Sequence, residues 1–252
     1  MRGPRYARLN HEFDRDGLLA AIDGIPRDQF IQIAATRFDK SILPYQFNTG
    51  KPFDIAPPEV LDQSTYSIWT GHEKSIIKGS IDTFTHCIFT HVPGHPELLY
   101  ADNIQNENGK YIRPYIAHRD RAWDWRADLN LEVFRNEFMR LPFEYVLRAR
   151  AIVLWEGDHL GNVHRDSVPG FTVPWMDEGF GVINLNLLDG GSTLNIKIGE
   201  DVVSKNDPCF TFDEAQYHGS TRSDLKRVQL NIVGKFDFDA LNRLIDRDTL
   251  ID

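Results

Sequence analysis

His164 and Asp166 stand two residues apart, His218 follows 54 residues after the first of them, and Arg227 stands nine beyond that. Two imidazoles and one carboxylate, with positions left open on the metal, are the ligand set of non-heme Fe(II) centres that activate O2. A spacing of two residues suits a strand end, because residues i and i+2 share one face of a strand. The second imidazole must then arrive from another strand. A lone His-x-Asp says little, and the chain holds a second one at His118-Arg119-Asp120. The spacing of all four residues is what singles out the first.

The elements that would position these residues are mostly short strands. Tyr145–Trp155 (YVLRARAIVLW) alternates, with Val146, Arg148, Arg150 and Ile152 on one face and Leu147, Ala149, Ala151 and Val153 on the other. Two arginines on one strand face need partners or solvent, because unpaired buried charge is costly. A functional use is a guanidinium that holds a substrate carboxylate with two parallel bonds. Phe180–Leu188 (FGVINLNLL) puts Val182, Asn184, Asn186 and Leu188 opposite Ile183, Leu185 and Leu187, a pattern that suits a pocket-lining face. Asp189-Gly190-Gly191-Ser192 is a turn. Thr193–Ile198, Asp201–Val203 and Cys209–Phe212 follow as strands, and Lys226–Val233 alternates Arg227, Gln229 and Asn231 with Val228, Leu230 and Ile232. Phe171–Met176, which includes Trp175, is a loop placed to cover a substrate.

Ahead of this region, Phe13–Ile25 reads as an amphipathic helix capped by Asp14 or Asp16 and ended by Gly24 and Pro26. Gln29–Ala35, Tyr66–Trp69 and Ile81–Val92 are candidate strands. The stretches 41–64 and 103–111 read as polar loop. Leu129–Met139 is a helix, and Phe236–Ile245 closes the chain as another. Many short strands at this spacing predict a mainly β fold with flanking helices, of sandwich or barrel type. The jelly roll, or double-stranded β-helix, brings strand ends together at one mouth. The expected organisation is a single catalytic domain, with an N-terminal scaffold (1–140), a jelly-roll core (141–236) and a C-terminal helix (237–252).

With those residues in place, the segment from Leu129 to Val233 resembles the Fe(II)/2-oxoglutarate-dependent dioxygenases. The matching features are His164-x-Asp166, the distal His218, and Arg227 nine residues on. The LPFEY segment, the strand with Arg150, and the short RVQLNI place it nearest the aspartyl/asparaginyl β-hydroxylase and free proline hydroxylase branch. That branch often has Arg-x-His where this chain has Asn184-Leu185-Asn186. The resemblance implies that His164, Asp166 and His218 hold Fe(II) and that Arg227 binds the distal carboxylate of 2-oxoglutarate. Arg222 competes for that role. It further implies O2 as co-substrate, ascorbate as activator, and hydroxylation of a small molecule such as an amino acid or an amino-acid-derived metabolite. Relatives that halogenate carry a small residue in place of the carboxylate, so Asp166 disfavours that outcome. His118 lies 100 residues ahead of His218, too far for the barrel turn of this family. Arg148, Arg150, Asn184, Asn186 and Trp175 are the candidate substrate-binding residues.

A net charge of −9 argues against a phosphate-tracking surface, so no nucleic acid is expected as partner. Two cysteines make no disulfide framework, and no stretch approaches eighteen apolar residues. These features predict a cytoplasmic protein with no membrane partner, its oligomeric state left open. His72, His86, His91 and His95 match no zinc spacing and read as satisfied or exposed side chains in a strand and loop. The alternatives are a cupin-type metal-binding barrel without oxygenase activity, a purely structural protein, or a dioxygenase acting on a peptide, protein or nucleic acid.

Overall fold

Period-two alternation between residues 143 and 236 builds the centre of an eight-stranded antiparallel sheet in the computed structural model. The structure describes residues 3–36, 45–46, 51–52, 67–70, 82–94, 96, 104–105, 111–112, 119–155, 178–198, 201–214, 216–221 and 225–251. In chain order the strands are β1 (Tyr6–Arg8), β2 (Ile31–Thr36), β3 (Tyr45–Gln46), β4 (Lys51–Pro52), β5 (Ser67–Thr70) and β6 (Asp82–Ile88). Next come β7 (Thr90–His91), β8 (Ile104–Gln105), β9 (Tyr111–Ile112), β10 (Asp124–Trp125), β11 (Phe143–Leu154) and β12 (Phe180–Leu188). The series ends with β13 (Leu194–Ile198), β14 (Asp201–Lys205), β15 (Cys209–Phe212), β16 (Tyr217–Ser220) and β17 (Arg227–Phe236). The helices are α1 (Arg15–Asp23), α2 (Glu132–Phe138) and α3 (Phe238–Leu244).

The large sheet runs β1-β15-β12-β17-β11-β6-β2-β5, and a second sheet runs β14-β13-β16. Three two-stranded ribbons, β10-β7, β3-β4 and β8-β9, and the isolated bridges Tyr6–Ile251 and Leu9–Ile245 accompany them. Four strands of the large sheet, β1, β2, β5 and β6, come from ahead of residue 141.

The two faces of the large sheet have opposite characters. On one, Ala149, Ala151 and Val153 of β11, Ile183, Leu185 and Leu187 of β12, and Val228, Leu230 and Ile232 of β17 are all buried. Leu18 and Ile22 of α1, Phe134 and Phe138 of α2 and Leu241 of α3 pack on them. Each such side chain removed from water contributes about 1.5–3 kcal/mol, so this helix-covered face carries most of the hydrophobic stabilisation. Asp14 caps α1 by accepting from Gly17 N at 3.0 Å, and Asp237 caps α3 by accepting from Ala240 N at 3.0 Å. On the opposite face, Tyr6, Val182, Phe210, Phe212 and Val233 pack against Leu194 and Ile196 of β13. That contact seats the three-stranded sheet over part of this face; most of the remainder is polar.

Several expectations change. The predicted helix 129–139 is the shorter α2, whose N-cap Leu131 supplies no side-chain hydrogen bond. The stretch 103–111, expected as loop, contributes β8 and Tyr111, the first residue of β9. Within 41–64 a β3–β4 ribbon forms, and the rest of that stretch lies outside the described residues. Strand β11 is not a continuous alternation, because its register with β17 shifts between Val146 and Arg148. The extra residue reverses the two side chains ahead of it. Val146 therefore packs with the helix-covered core, while Leu147 joins Val92, Trp123 and Phe180 in a separate cluster.

The turn between β12 and β13 packs closely against the start of β17. Gly190 has φ +59°, and a Cβ there would lie 2.7 Å from Leu225 O and 2.9 Å from Arg227 Cβ. Gly190→Ala is expected to cost about 1–3 kcal/mol from backbone strain alone. The check is the urea midpoint, and a midpoint equal to wild type would show that this turn is not locked.

Candidate active site

Arg227 opens β17 opposite Leu154 of β11, on the polar face of the large sheet. It is only 4% exposed. Its Nη1 donates to Ser192 Oγ at 2.8 Å, and its Nε has no hydrogen-bond partner among the described residues. The turn holds Ser192 in place: Gly191 N donates to Asp189 Oδ1 and Ser192 N to Asp189 O, each at 3.0 Å. Burial pulls the Arg227 pKa down to about 10, and the Asp189 carboxylate opposes that pull. A buried guanidinium short of acceptors is a site for an anion, because it has donors only and pays for desolvation until they are used.

His218 lies on β16 opposite Ile196, buried, with its ring edge-on to Phe212 at 4.8 Å between centroids. Its Nδ1 is 2.8 Å from Gln216 O. A carbonyl only accepts, so Nδ1 carries the proton and the Nε2 lone pair is the one suited to a metal. Gln216 is itself anchored, its Nε2 donating to Asp213 Oδ2 at 3.1 Å and its backbone N to Asp213 O at 2.9 Å. Fixing the ring through its second nitrogen is how metal-binding histidines are usually oriented.

Between these residues runs a layer of amides. Arg148 Nη2 and Arg150 Nε each donate to Asn231 Oδ1 at 3.1 Å, and Asn231 Nδ2 donates to Asn184 Oδ1 at 2.9 Å. One pair nearer Arg227, Gln229 Nε2 donates to Asn186 Oδ1 at 2.9 Å, and Asn186 Nδ2 donates to Asp207 O at 2.8 Å. His86 of β6 is 1% exposed and pairs in register with Ile152. Burial, then the charges of Arg150 and Arg148, push its pKa well below 6.5.

The structure therefore places His218, Arg227, Arg148, Arg150, Asn184 and Asn186 on described strands. His164, Asp166, Trp175 and Arg222 lie outside the described residues, as do His72, His95 and His118. Among the described residues no group of three or more His, Cys, Asp or Glu side chains is placed to hold a metal. Arg119, from the second His-x-Asp, pairs with Glu178 at 2.9 Å, and its backbone carbonyl accepts from Tyr145 Oη. His91 Nδ1 donates to Val92 O at 3.0 Å, as a satisfied histidine should.

Sequence reasoning did not single out Ser192, Asp189, Gln216 and Asp213, whose positions around Arg227 and His218 depend on turns. Asn231 and Gln229 were visible as polar positions alternating with Arg227, without their partners. No protein-family model matches the chain, and no curated protein matches it. No helix among the described residues is long and apolar enough to cross a membrane.

Two outcomes follow from the charges. Because the pKa of Arg227 is depressed by folding, its cation is disfavoured at neutral pH, and that penalty is relieved only as pH rises past about 10. Arg227→Met keeps the bulk and removes the charge, so the ligand-free protein is expected to gain about 1–3 kcal/mol in urea unfolding. A loss of that size would mean that the guanidinium holds the fold together. His86 is likewise depressed, so the unfolded chain takes up the proton first as pH falls. Its contribution is intact above pH 6.5 and is lost below it, at a rate approaching about 1.4 kcal/mol per pH unit. His86→Gln should flatten the fall in urea midpoint between pH 7 and 5. Equal slopes in the two proteins would contradict this.

Proposed function

We propose that the protein is an Fe(II)- and 2-oxoglutarate-dependent oxygenase that hydroxylates a small molecule such as an amino acid or an amino-acid-derived metabolite. The observation that carries the reading is Arg227. It is a buried guanidinium with one described partner, nine residues after a buried histidine whose Nδ1 proton is already committed. Strand order supports the reading. With β11 taken as the first strand of eight and β17 as the last, the large sheet sets first, eighth, third and sixth side by side. The smaller sheet sets fifth, fourth and seventh together. Two interlocked Greek keys of this kind make a jelly roll, the double-stranded β-helix. The interval 156–177, which carries His164 and Asp166, lies outside the described residues.

In this reading His164, Asp166 and His218 hold the metal, and His218 meets the requirement for a ligand through the tautomer that Gln216 imposes. When bound, Fe(II) supplies the coupled chemistry in which O2, 2-oxoglutarate and a substrate C–H become succinate, CO2 and the alcohol. Arg227 takes the distal carboxylate of 2-oxoglutarate, and Ser192 sets the plane of its fork. The amide layer of Asn184, Asn186, Gln229 and Asn231 gives the floor a fixed pattern of donors and acceptors. Asp166 supplies the carboxylate that balances the metal's charge, and its presence disfavours halogenation.

The test is succinate release from 2-oxoglutarate with Fe(II), ascorbate and O2. Wild type is expected to turn over slowly without a prime substrate, and His164→Ala and His218→Ala to lose that activity. Losing charge-assisted bonds worth about 1.5–3 kcal/mol, Arg227→Ala should need on the order of 10- to 100-fold more 2-oxoglutarate. No turnover together with no bound iron would leave a cupin-like binding barrel.

A further inference from the structure

We infer that Ser220 of β16 is a further ligand-contacting residue, its hydroxyl donating to the molecule that joins His218 to Arg227. The placement of Ser220 rests on geometry alone; the identity of that molecule, 2-oxoglutarate, rests on the oxygenase reading. Residues directly opposite in an antiparallel pair share one face of the sheet. Ser220 is opposite Leu194, and His218 is opposite Ile196. Leu194 and Ile196 pack with Val182, Phe210, Phe212 and Val233 of the large sheet. Ser220 and His218 therefore both point between the two sheets.

Ser220 is 4% exposed, and its Oγ has no hydrogen-bond partner among the described residues. A buried hydroxyl left without a partner carries its full desolvation cost, and native proteins keep few of them. The pairing of β16 with β13 does not use it. One step past the ladder, Thr221 N donates to Thr193 O at 2.9 Å, and Thr193 N donates to Thr221 Oγ1 at 2.7 Å. The strand is held without the serine side chain.

The neighbours of Ser220 define what its hydroxyl meets. Ser192, two residues ahead of Leu194, turns its own hydroxyl inward to accept from Arg227 Nη1. Ser192 is thus the diagonal neighbour of Ser220, within about 7–8 Å. In the other direction His218 lies two residues along β16, about 7 Å at strand rise. Ser220 stands between the guanidinium and the imidazole, and a ligand that reaches both passes over it. Arg227 Nε also has no hydrogen-bond partner among the described residues. Since a guanidinium has donors only, the ligand must bring acceptors, and a serine hydroxyl can rotate its proton to one of them.

Two variants separate binding from folding. Ser220→Ala removes the hydroxyl, and Ser220→Cys replaces it by a thiol, a weak donor of similar shape. 2-Oxoglutarate is titrated calorimetrically into Fe(II)-loaded protein under nitrogen, and the ligand-free proteins are melted. Both variants are expected to bind 2-oxoglutarate at least tenfold more weakly, as loss of a bond to a charged group requires. Ligand-free Ser220→Ala is expected to melt about 2–4 °C above wild type, because a buried group without a partner has gone. Thr211→Val is the control. Thr211 Oγ1 is likewise buried without a hydrogen-bond partner among the described residues, but it lies on the helix-covered face, opposite Ala7 and Ile183. That variant should bind 2-oxoglutarate within twofold of wild type. A loss smaller than tenfold in either Ser220 variant overturns the inference. So does Ser220→Ala melting below wild type, which would make the hydroxyl part of the fold. Glutarate, titrated into metal-free protein, tells the two readings apart. Tenfold weaker glutarate binding by Ser220→Ala, in a protein whose wild type releases no succinate, sinks the oxygenase reading and leaves the contact standing. Succinate release that needs no more 2-oxoglutarate in the Ser220 variants than in wild type overturns the contact alone. A wild type that binds neither diacid overturns both.

Discussion

Arg227 places a guanidinium, 4% exposed, at the first residue of a strand whose other face is packed with Val228, Leu230 and Ile232. Its charge cannot turn to solvent, and its nearest fixed partner is a single hydroxyl from Ser192. Much of the surrounding structure follows from holding that charge. The Asp189–Ser192 turn is tied by two bonds to Asp189, so that Ser192 arrives at the guanidinium. Glycine is required at position 190 because Leu225 O and Arg227 Cβ fill the space a side chain would take. The helices then bury the opposite face and supply the hydrophobic stabilisation that lets the sheet carry this cost.

The two faces divide stability from chemistry. On the helix-covered side, alanine, valine, leucine and isoleucine from β11, β12 and β17 meet the aromatic residues of α2. The thiols of Cys87 and Cys209 are pushed upward by burial on that side, Cys87 to about 11, so both behave as small apolar groups. On the other side two arginines, three asparagines and a glutamine make directed bonds: the arginines, which can only donate, orient the Asn231 amide, and the Asp207 carbonyl, which can only accept, orients that of Asn186. Such a network specifies one arrangement of the side chains on this face.

Local signals were the legible part of the sequence. Asp14, one of two candidate caps, starts α1, and the alternation of FGVINLN and RVQLNIV gives the two faces of β12 and β17, up to the register shift between Asn186 and Leu188. The buried states of His218 and Arg227 agree with an interior site, although the roles read for them rest on a resemblance. Three things were hidden. The β11 bulge is one extra residue opposite a partner strand, which the alternation of YVLRARAIVLW conceals. The pairing of β1 with β15 joins residues more than two hundred positions apart, and no local pattern encodes it. The relay from Arg148 and Arg150 through Asn231 to Asn184 depends on three strands coming into register.

The central claim is that His218 and Arg227 belong to one centre that holds Fe(II) and a 2-oxoacid together. The most direct measurement is visible absorption of the protein under nitrogen as Fe(II) and then 2-oxoglutarate are added. The account predicts one iron per chain and a weak charge-transfer band that grows only when both are present. The band should be absent from His218→Ala, and in Arg227→Met it should require far more 2-oxoglutarate. Iron that fails to bind, or a band that forms equally well in both variants, would contradict it.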